Sequence, residues 1–147
     1  MDIKMVDISE KREVLRVARA RGFIKLTEES CRRIREGEVE KGDVFSVAKV
    51  AAIMAVKRTP ELIPLCHPIP ITRVDVDMRV VEGGVEAVVE VRSVGKTGVE
   101  MEALTGVSAA LLAVWDMVKK YEKDERGQYP HTRIESITVE AKEKISL

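Results

Sequence analysis

The sequence predicts an α+β fold, with helices packed on one face of an antiparallel sheet. Three observations carry that expectation. Residues 14–26, 72–81, 85–94 and 133–142 alternate apolar and polar side chains with the period of a strand. The second and third of these are joined by Glu82-Gly83-Gly84, a hairpin signature. The remaining segments carry helical patterns with caps, giving the order β-α-α-β-β-α-β.

Each element has its own justification. In the first strand Val14, Ala18, Ala20, Ile24 and Leu26 share a face with Arg16 and Gly22, while Arg19, Arg21 and Lys25 share the other. An arginine on the apolar parity is unusual for a structural residue. Thr27 caps a short helix, Glu28 and Glu29 fill its first turn, and Gly37 ends it. Asp43 caps a second helix from Val44 to about Arg58. Pro60 suits the first position of a further short helix. Residues 63–70 hold three prolines and form an ordered, non-helical loop. A long helix is expected from about Val99 to Tyr121, then a polar loop over 124–132, then the last strand from Arg133 to Lys142. No repeat, linker or low-complexity run divides the chain, so 1–147 reads as one domain.

The long helix is the most telling segment. Between Ala103 and Val118 only Thr105, Gly106, Ser108 and Asp116 interrupt its apolar run. A helix apolar all round is buried on every side, which a single sheet-and-helix layer does not provide. The expectation is an oligomer that uses this helix.

Composition removes several classes of function. Lys+Arg and Asp+Glu both number 25, so the formal net charge is zero. A non-specific nucleic-acid binder needs a basic excess. Aromatic residues make up 3% of the chain, too few for a base-stacking platform. The two cysteines, Cys31 and Cys66, form no CxxC pair, so neither a zinc knuckle nor a disulfide scaffold is read. No run of eighteen apolar residues exists and no signal-peptide pattern opens the chain, so a cytoplasmic protein without membrane contact is expected.

Five places could carry chemistry. Asp116 and Lys119 are helix neighbours, either a structural ion pair or a tuned acid–base pair. Glu100 and Glu102 open the long helix, either as dipole partners or as working carboxylates that point in different directions. His67, between Cys66 and Pro68, is either a satisfied loop residue or a rigidly directed functional one. With a glutamate these two could be drawn as zinc ligands, although no spacing supports it. Lys41 precedes Gly42 and a helix start, and is either a surface lysine or a ligand contact. Gly95-Lys96-Thr97-Gly98 lacks the full phosphate-loop pattern, but a glycine-rich turn before a helix N-terminus is a fair anion site. His131 lies in the polar loop and reads as solvated.

Six motifs in order resemble one family. They are Met-Val-Asp-Ile-Ser (5–9), the Arg16/Ala18/Ala20/Gly22 strand, Lys-Gly-Asp-Val (41–44) and Lys-Arg-Thr-x-x-Leu-Ile-Pro-Leu-Cys-His-Pro (57–68). Gly-Lys-Thr-Gly-Val-Glu-Met-Glu-Ala-Leu-Thr (95–105) and Asp-Met-x-Lys (116–119) complete the set. Together they resemble the molybdenum cofactor biosynthesis protein C family, the cyclic pyranopterin monophosphate synthases, over about residues 5 to 121. The resemblance implies a ferredoxin-like α+β fold and a hexamer, a trimer of dimers, with active sites at subunit interfaces. It implies a lyase that rearranges 3′,8-cyclo-7,8-dihydro-GTP into cyclic pyranopterin monophosphate and releases pyrophosphate. Such an enzyme acts after a radical S-adenosylmethionine enzyme that cyclises GTP.

By the same resemblance Lys41 and Lys119 are catalytic, with Asp116 beside the second. Asp7, Arg16, Cys66, His67, Glu100, Met101 and Glu102 line the substrate pocket. No resident metal or cofactor is implied, though Mg²⁺ could accompany the triphosphate. Proton transfers suit lysine, aspartate and histidine, and the departing pyrophosphate needs cationic neighbours. The chain departs from the family after residue 121, where it lacks a Gly-Gly-Lys-Ser-Gly tail. It also has Val14 where threonine is common and Trp115 where tyrosine is common. Two other readings compete: a metal-dependent phosphohydrolase built on Cys66, His67 and Glu100 or Glu102, and a non-catalytic nucleotide-binding oligomer.

Overall fold

The computed structural model describes residues 1–147. Four strands form the sheet: β1 (Val14–Lys25), β2 (Ile71–Val81), β3 (Gly84–Gly95) and β4 (Arg133–Ile145). Four helices accompany them: α1 (Glu28–Glu36), α2 (Val44–Lys57), α3 (Thr59–Leu62) and α4 (Glu100–Glu122). The spatial order is β2-β3-β1-β4, with every neighbouring pair antiparallel. This is the ferredoxin-like arrangement, with the helices on one face.

Local chemistry sets the boundaries. Thr27 Oγ1 accepts the Ser30 N–H at 3.3 Å, and Gly37 ends α1 in the left-handed region at φ 67°. Asp43 Oδ2 accepts the Ser46 N–H at 2.9 Å and starts α2. The β2–β3 hairpin turns on Glu82 and Gly83, and Gly84 already pairs as the first residue of β3. β4 runs three residues past its expected end, to Ile145, and carries a register shift near Ser136, which has φ 60°. Simple alternation could not reveal that bulge.

α4 lies on β1, β3 and β4 and packs along α2. Two glycines let it sit close. A Cβ on Gly22 would stand 2.6 Å from Val107 Cγ1 and 2.9 Å from Leu111 Cδ1. A Cβ on Gly106 would stand 2.9 Å from Val56 Cγ2. Within the protomer α2 covers much of the flank that the sequence assigned to a partner subunit. What stays open on α4 is narrower: Leu112 is 59% exposed, and Met101 is exposed at the first turn. α4 is long and apolar enough to cross a membrane by length and composition, and here it forms the centre of the domain core.

The C-terminal end of α4 is pinned by a buried carboxylate. Glu122 accepts hydrogen bonds from Thr27 Oγ1 at 2.6 Å and Thr132 Oγ1 at 2.7 Å, and also from the Thr27 N–H and Ser30 Oγ. One side chain thereby ties α4 to the start of α1 and to the approach of β4.

Candidate active site

Charged groups sit at both ends of α4. At the C-terminal end, Lys119 Nζ lies 3.1 Å from Asp116 Oδ1. Lys41 belongs to the turn before α2. Because α2 packs along α4, that turn falls beside residue 116. Lys41 Nζ is 3.0 Å from Asp116 Oδ2 and donates to the Asp116 carbonyl at 3.1 Å. Hydrogen bonds from Lys41 and then Lys119 hold the Asp116 carboxyl below its ordinary range. All three side chains are between 42% and 59% exposed. Met117 and Val118 turn into the core and do not surround Lys119. Lys119 therefore gains no apolar cover from these two neighbours within the protomer.

The N-terminal end is built differently. Glu102 is 1% exposed, and the Cys66 thiol donates to its Oε2 at 3.6 Å. Glu102 Oε1 is buried without a hydrogen-bond partner. Burial, joined by the nearby Glu100 charge, raises the Glu102 carboxyl despite hydrogen bonds from its own N–H and from Cys66. Burial and then the Glu102 carboxylate push the Cys66 thiol up to about 11. Glu100 points elsewhere, as its spacing from Glu102 requires, and pairs with Lys142 Nζ at 2.5 Å. Burial pushes Glu100 up, but Lys142 and the helix backbone outweigh it and leave the carboxyl below its usual range.

The glycine-rich turn shapes this end. A Cβ on Gly98 would stand 2.4 Å from Glu100 Oε1, so the missing side chain makes room for that carboxylate. At this helix start the Glu100 carboxylate occupies the space beside Gly98. Leu65, Cys66, His67, Gly98, Glu100 and Met101 line an open hollow of about 340 Å³. His67 Nε2 lies 2.6 Å from the Val6 carbonyl, so the segment before β1 crosses the proline-rich loop. Asp7, in that segment, is held low first by the Ser9 N–H and then by the Ser9 hydroxyl, with smaller help from His67 and Lys96. His131 is exposed in its loop.

Arg16 is 8% exposed on the core-facing parity, as its sequence position indicates. It holds no carboxylate. Its Nε donates to the Gly95 carbonyl at 3.1 Å and its Nη2 to the Arg12 carbonyl at 3.5 Å. The sequence reading missed Lys142. Alternation alone puts Lys142 with the polar Thr138 and Glu140. Only its pairing with Ala18 across the sheet gives it the parity of Arg16, so no local pattern could have singled it out.

The two groups do not meet in one protomer. Sixteen residues separate Glu100 from Asp116, about 24 Å along a helix rising 1.5 Å per residue. No three His, Cys, Asp or Glu side chains converge as a metal-binding set.

Fold and site together define a class: a ferredoxin-like α+β protein with a lysine–aspartate cluster suited to proton transfer and a buried arginine that holds no carboxylate. The chain belongs to the MoaC family, whose model matches residues 5–144. It is 66% identical over 136 residues to the probable cyclic pyranopterin monophosphate synthase of Methanosarcina acetivorans, covering 92% of this chain and 86% of that one. It is 60% identical over 142 residues to the protein of the same description from Pyrococcus horikoshii, covering 97% and 89%. The Aeropyrum pernix protein, again so described, is 61% identical over 140 residues, covering 95% and 96%.

Proposed function

We propose that this protein converts 3′,8-cyclo-7,8-dihydro-GTP into cyclic pyranopterin monophosphate with release of pyrophosphate, a lyase step early in molybdenum cofactor biosynthesis. One observation carries the proposal. Lys41 and Lys119, 78 residues apart in the chain, grip the two oxygens of one carboxylate, Asp116. Such a group can take and return protons while the purine ring opens and the pterin closes. Forming the cyclic phosphate joins a hydroxyl oxygen to the α-phosphorus and breaks the bridge to the β-phosphate. The electron pair leaves with pyrophosphate, and the hydroxyl proton passes to solvent. Arg16 is the cation for those phosphates, because its guanidinium has no carboxylate partner of its own.

Two half-sites about 24 Å apart on one helix cannot act on one nucleotide. The reading therefore includes a homo-oligomer in which the Asp116 end of one protomer faces the Glu102 end of another. Open apolar residues support that assembly. Val47, Val50 and Met54 share one stripe of α2, with Leu112 exposed on α4. A hexamer arranged as a trimer of dimers is the form proposed, working in the cytoplasm without a resident cofactor. Mg²⁺ would arrive only with the triphosphate. The substrate would come from a radical S-adenosylmethionine enzyme that cyclises GTP.

The test is incubation of purified protein with the cyclised dihydro-GTP, with the pterin and pyrophosphate assayed together. Equimolar appearance of both is expected. Unchanged nucleotide, or pyrophosphate without pterin, would reject the activity. Light scattering that found a monomer at micromolar concentration would reject the shared-site arrangement.

A further inference from the structure

Lys41 and Lys119 reach Asp116 from different kinds of backbone. Lys119 stands on α4 itself, three residues from Asp116, so the helix fixes its place. Lys41 stands in the exposed connection between α1 and α2. A lysine there carries a long, rotatable side chain on irregular backbone, and ordering it costs entropy. The turn itself must be held for Lys41 Nζ to stay on Asp116.

Contacts from two helices hold it. The Tyr121 hydroxyl, in the last turn of α4, accepts the N–H of Glu40 at 2.9 Å, one residue before Lys41. Lys120 pairs with the Glu40 carboxylate, but both side chains are well exposed, so water screens that pair. From α1, Arg33 Nη1 donates to the Glu38 carbonyl at 3.0 Å. Val39, between Glu38 and Glu40, belongs to the core. The Gly42 N–H closes the turn onto the Val39 carbonyl at 3.1 Å, which shapes the turn without tying it to α4. The phenol bond does tie it. Tyr121 is fixed in its own right, because its ring packs against the core and the Arg33 guanidinium lies 4.2 Å from the ring centroid.

We infer that Tyr121 is a positioning residue: its hydroxyl locks the Glu40–Lys41 turn onto α4 and so holds Lys41 Nζ at the Asp116 carboxylate. The inference rests on the proposed function for what Lys41 does in the reaction. The clamp itself rests on the Tyr121–Glu40 and Lys41–Asp116 contacts. Tyr121 acts through Lys41 and transfers no proton. The bond adds little to stability, because Glu40 is exposed and water can replace the phenol. Its effect falls on rate, since a reacting group misplaced by about 1 Å can cost on the order of 10²-fold.

The experiment uses the intact protein and Tyr121→Phe, which keeps the ring under Arg33 and removes only the acceptor. The control is Tyr129→Phe, which deletes the hydroxyl of the ring stacked on Trp115. The first readout needs no substrate. In protein labelled with ¹³C-aspartate, the Asp116 carboxyl is assigned by its loss in Asp116→Asn and titrated by NMR. Lys41 from the turn and Lys119 from α4 hold that carboxyl low. Its midpoint should rise towards 3.8 in Tyr121→Phe, by part of the rise seen in Lys41→Ala, and stay in place in the control. The second readout is turnover of the cyclised nucleotide. In Tyr121→Phe, kcat should fall about tenfold while KM holds and melting stays near wild type. In a Lys41→Ala background the same change should alter kcat by less than about twofold, because the group it places is gone. An Asp116 midpoint unmoved by Tyr121→Phe overturns the clamp. So does an equal loss of kcat in both backgrounds, which a general structural role would give. If the midpoint moves as expected but wild type leaves the nucleotide unchanged, the clamp stands and the proposed activity falls.

Discussion

The two ends of α4 use the same kinds of charged residue in opposite ways. At the C-terminal end one carboxylate is saturated by two lysines, and all three side chains face water. At the N-terminal end Glu102 Oε1 is buried with no partner, and Arg16, buried on the core-facing side of β1, holds no carboxylate. The first cluster is electrically settled but uncovered. The second is covered on one side but electrically incomplete. An exposed pair is weakly coupled, since water screens it. A buried unsatisfied oxygen is costly unless a ligand or a change of protonation relieves it. Each end therefore lacks what the other offers, which is the physical argument for joining them across protomers.

Four measurements break or sharpen that comparison. The largest effect is expected at the C-terminal end. Lys41→Ala and Lys119→Ala should each lower turnover by about 10²–10⁴-fold with an unchanged circular dichroism spectrum, the usual loss for a proton-transfer group. Near-normal rates in either variant would take that lysine out of the mechanism.

The next test joins the ends directly. Lys119→Ala and Glu102→Gln protein should each be inactive alone. Mixed after subunit exchange, they should recover on the order of a quarter of wild-type activity, because half-sites shared across an isologous interface regenerate one intact site per hybrid pair. No recovery after verified exchange would mean that both residues serve one protomer's site.

At the N-terminal end, Arg16→Lys keeps the charge but loses the planar fork. Nucleotide affinity should weaken by about 1–3 kcal/mol, the worth of a hydrogen bond to a charged group. Melting without ligand should fall only slightly, from loss of the bond to the Gly95 carbonyl. A large drop in melting with full affinity would make Arg16 a structural residue.

The smallest effect concerns the proton on Glu102. Burial raises this carboxyl above its ordinary value of 4.5. The folded state therefore favours the protonated form, and stability is lost as pH rises from 4.5 through the raised value. Glu102→Gln removes that loss. Its melting temperature should exceed wild type at about pH 8 and match it at about pH 4, below the ordinary carboxylate range. An equal difference at both pH values would show that ionisation of Glu102 is not involved. Asp116 has the opposite sign. Its lowered carboxyl contributes stability above 3.8 that fades as pH falls through the folded value, and exposure keeps that contribution small.

Much of the site was legible one residue at a time. Arg16 declared itself by sitting on the apolar parity of its strand, and the structure buries it there. Asp116 and Lys119 were neighbours by helical spacing alone. Lys41 beside Asp116 was not legible from local pattern, because 75 residues separate them and only the packing of α2 on α4 joins them. Burial of Glu102 and Glu122 also escaped local reading. An acid in the first or last turn of a helix looks the same whether water or a hydroxyl cluster meets it.

The sequence by itself determined the elements and their caps. Thr27, Gly37, Asp43 and the Glu82-Gly83 turn act through bonds to residues two to four positions away, so local order specifies them. Alternation in β1 and β3 and the apolar run of α4 likewise stated which faces must be hidden. Only the tertiary structure decided which charges meet. The β1–β4 register set Arg16 against Lys144, and the α2–α4 contact brought Lys41 to Asp116. The length of α4 then held Asp116 and Glu102 toward opposite ends. Long-range register and packing depend on the summed fit of the whole core, and no short window of sequence contains that sum.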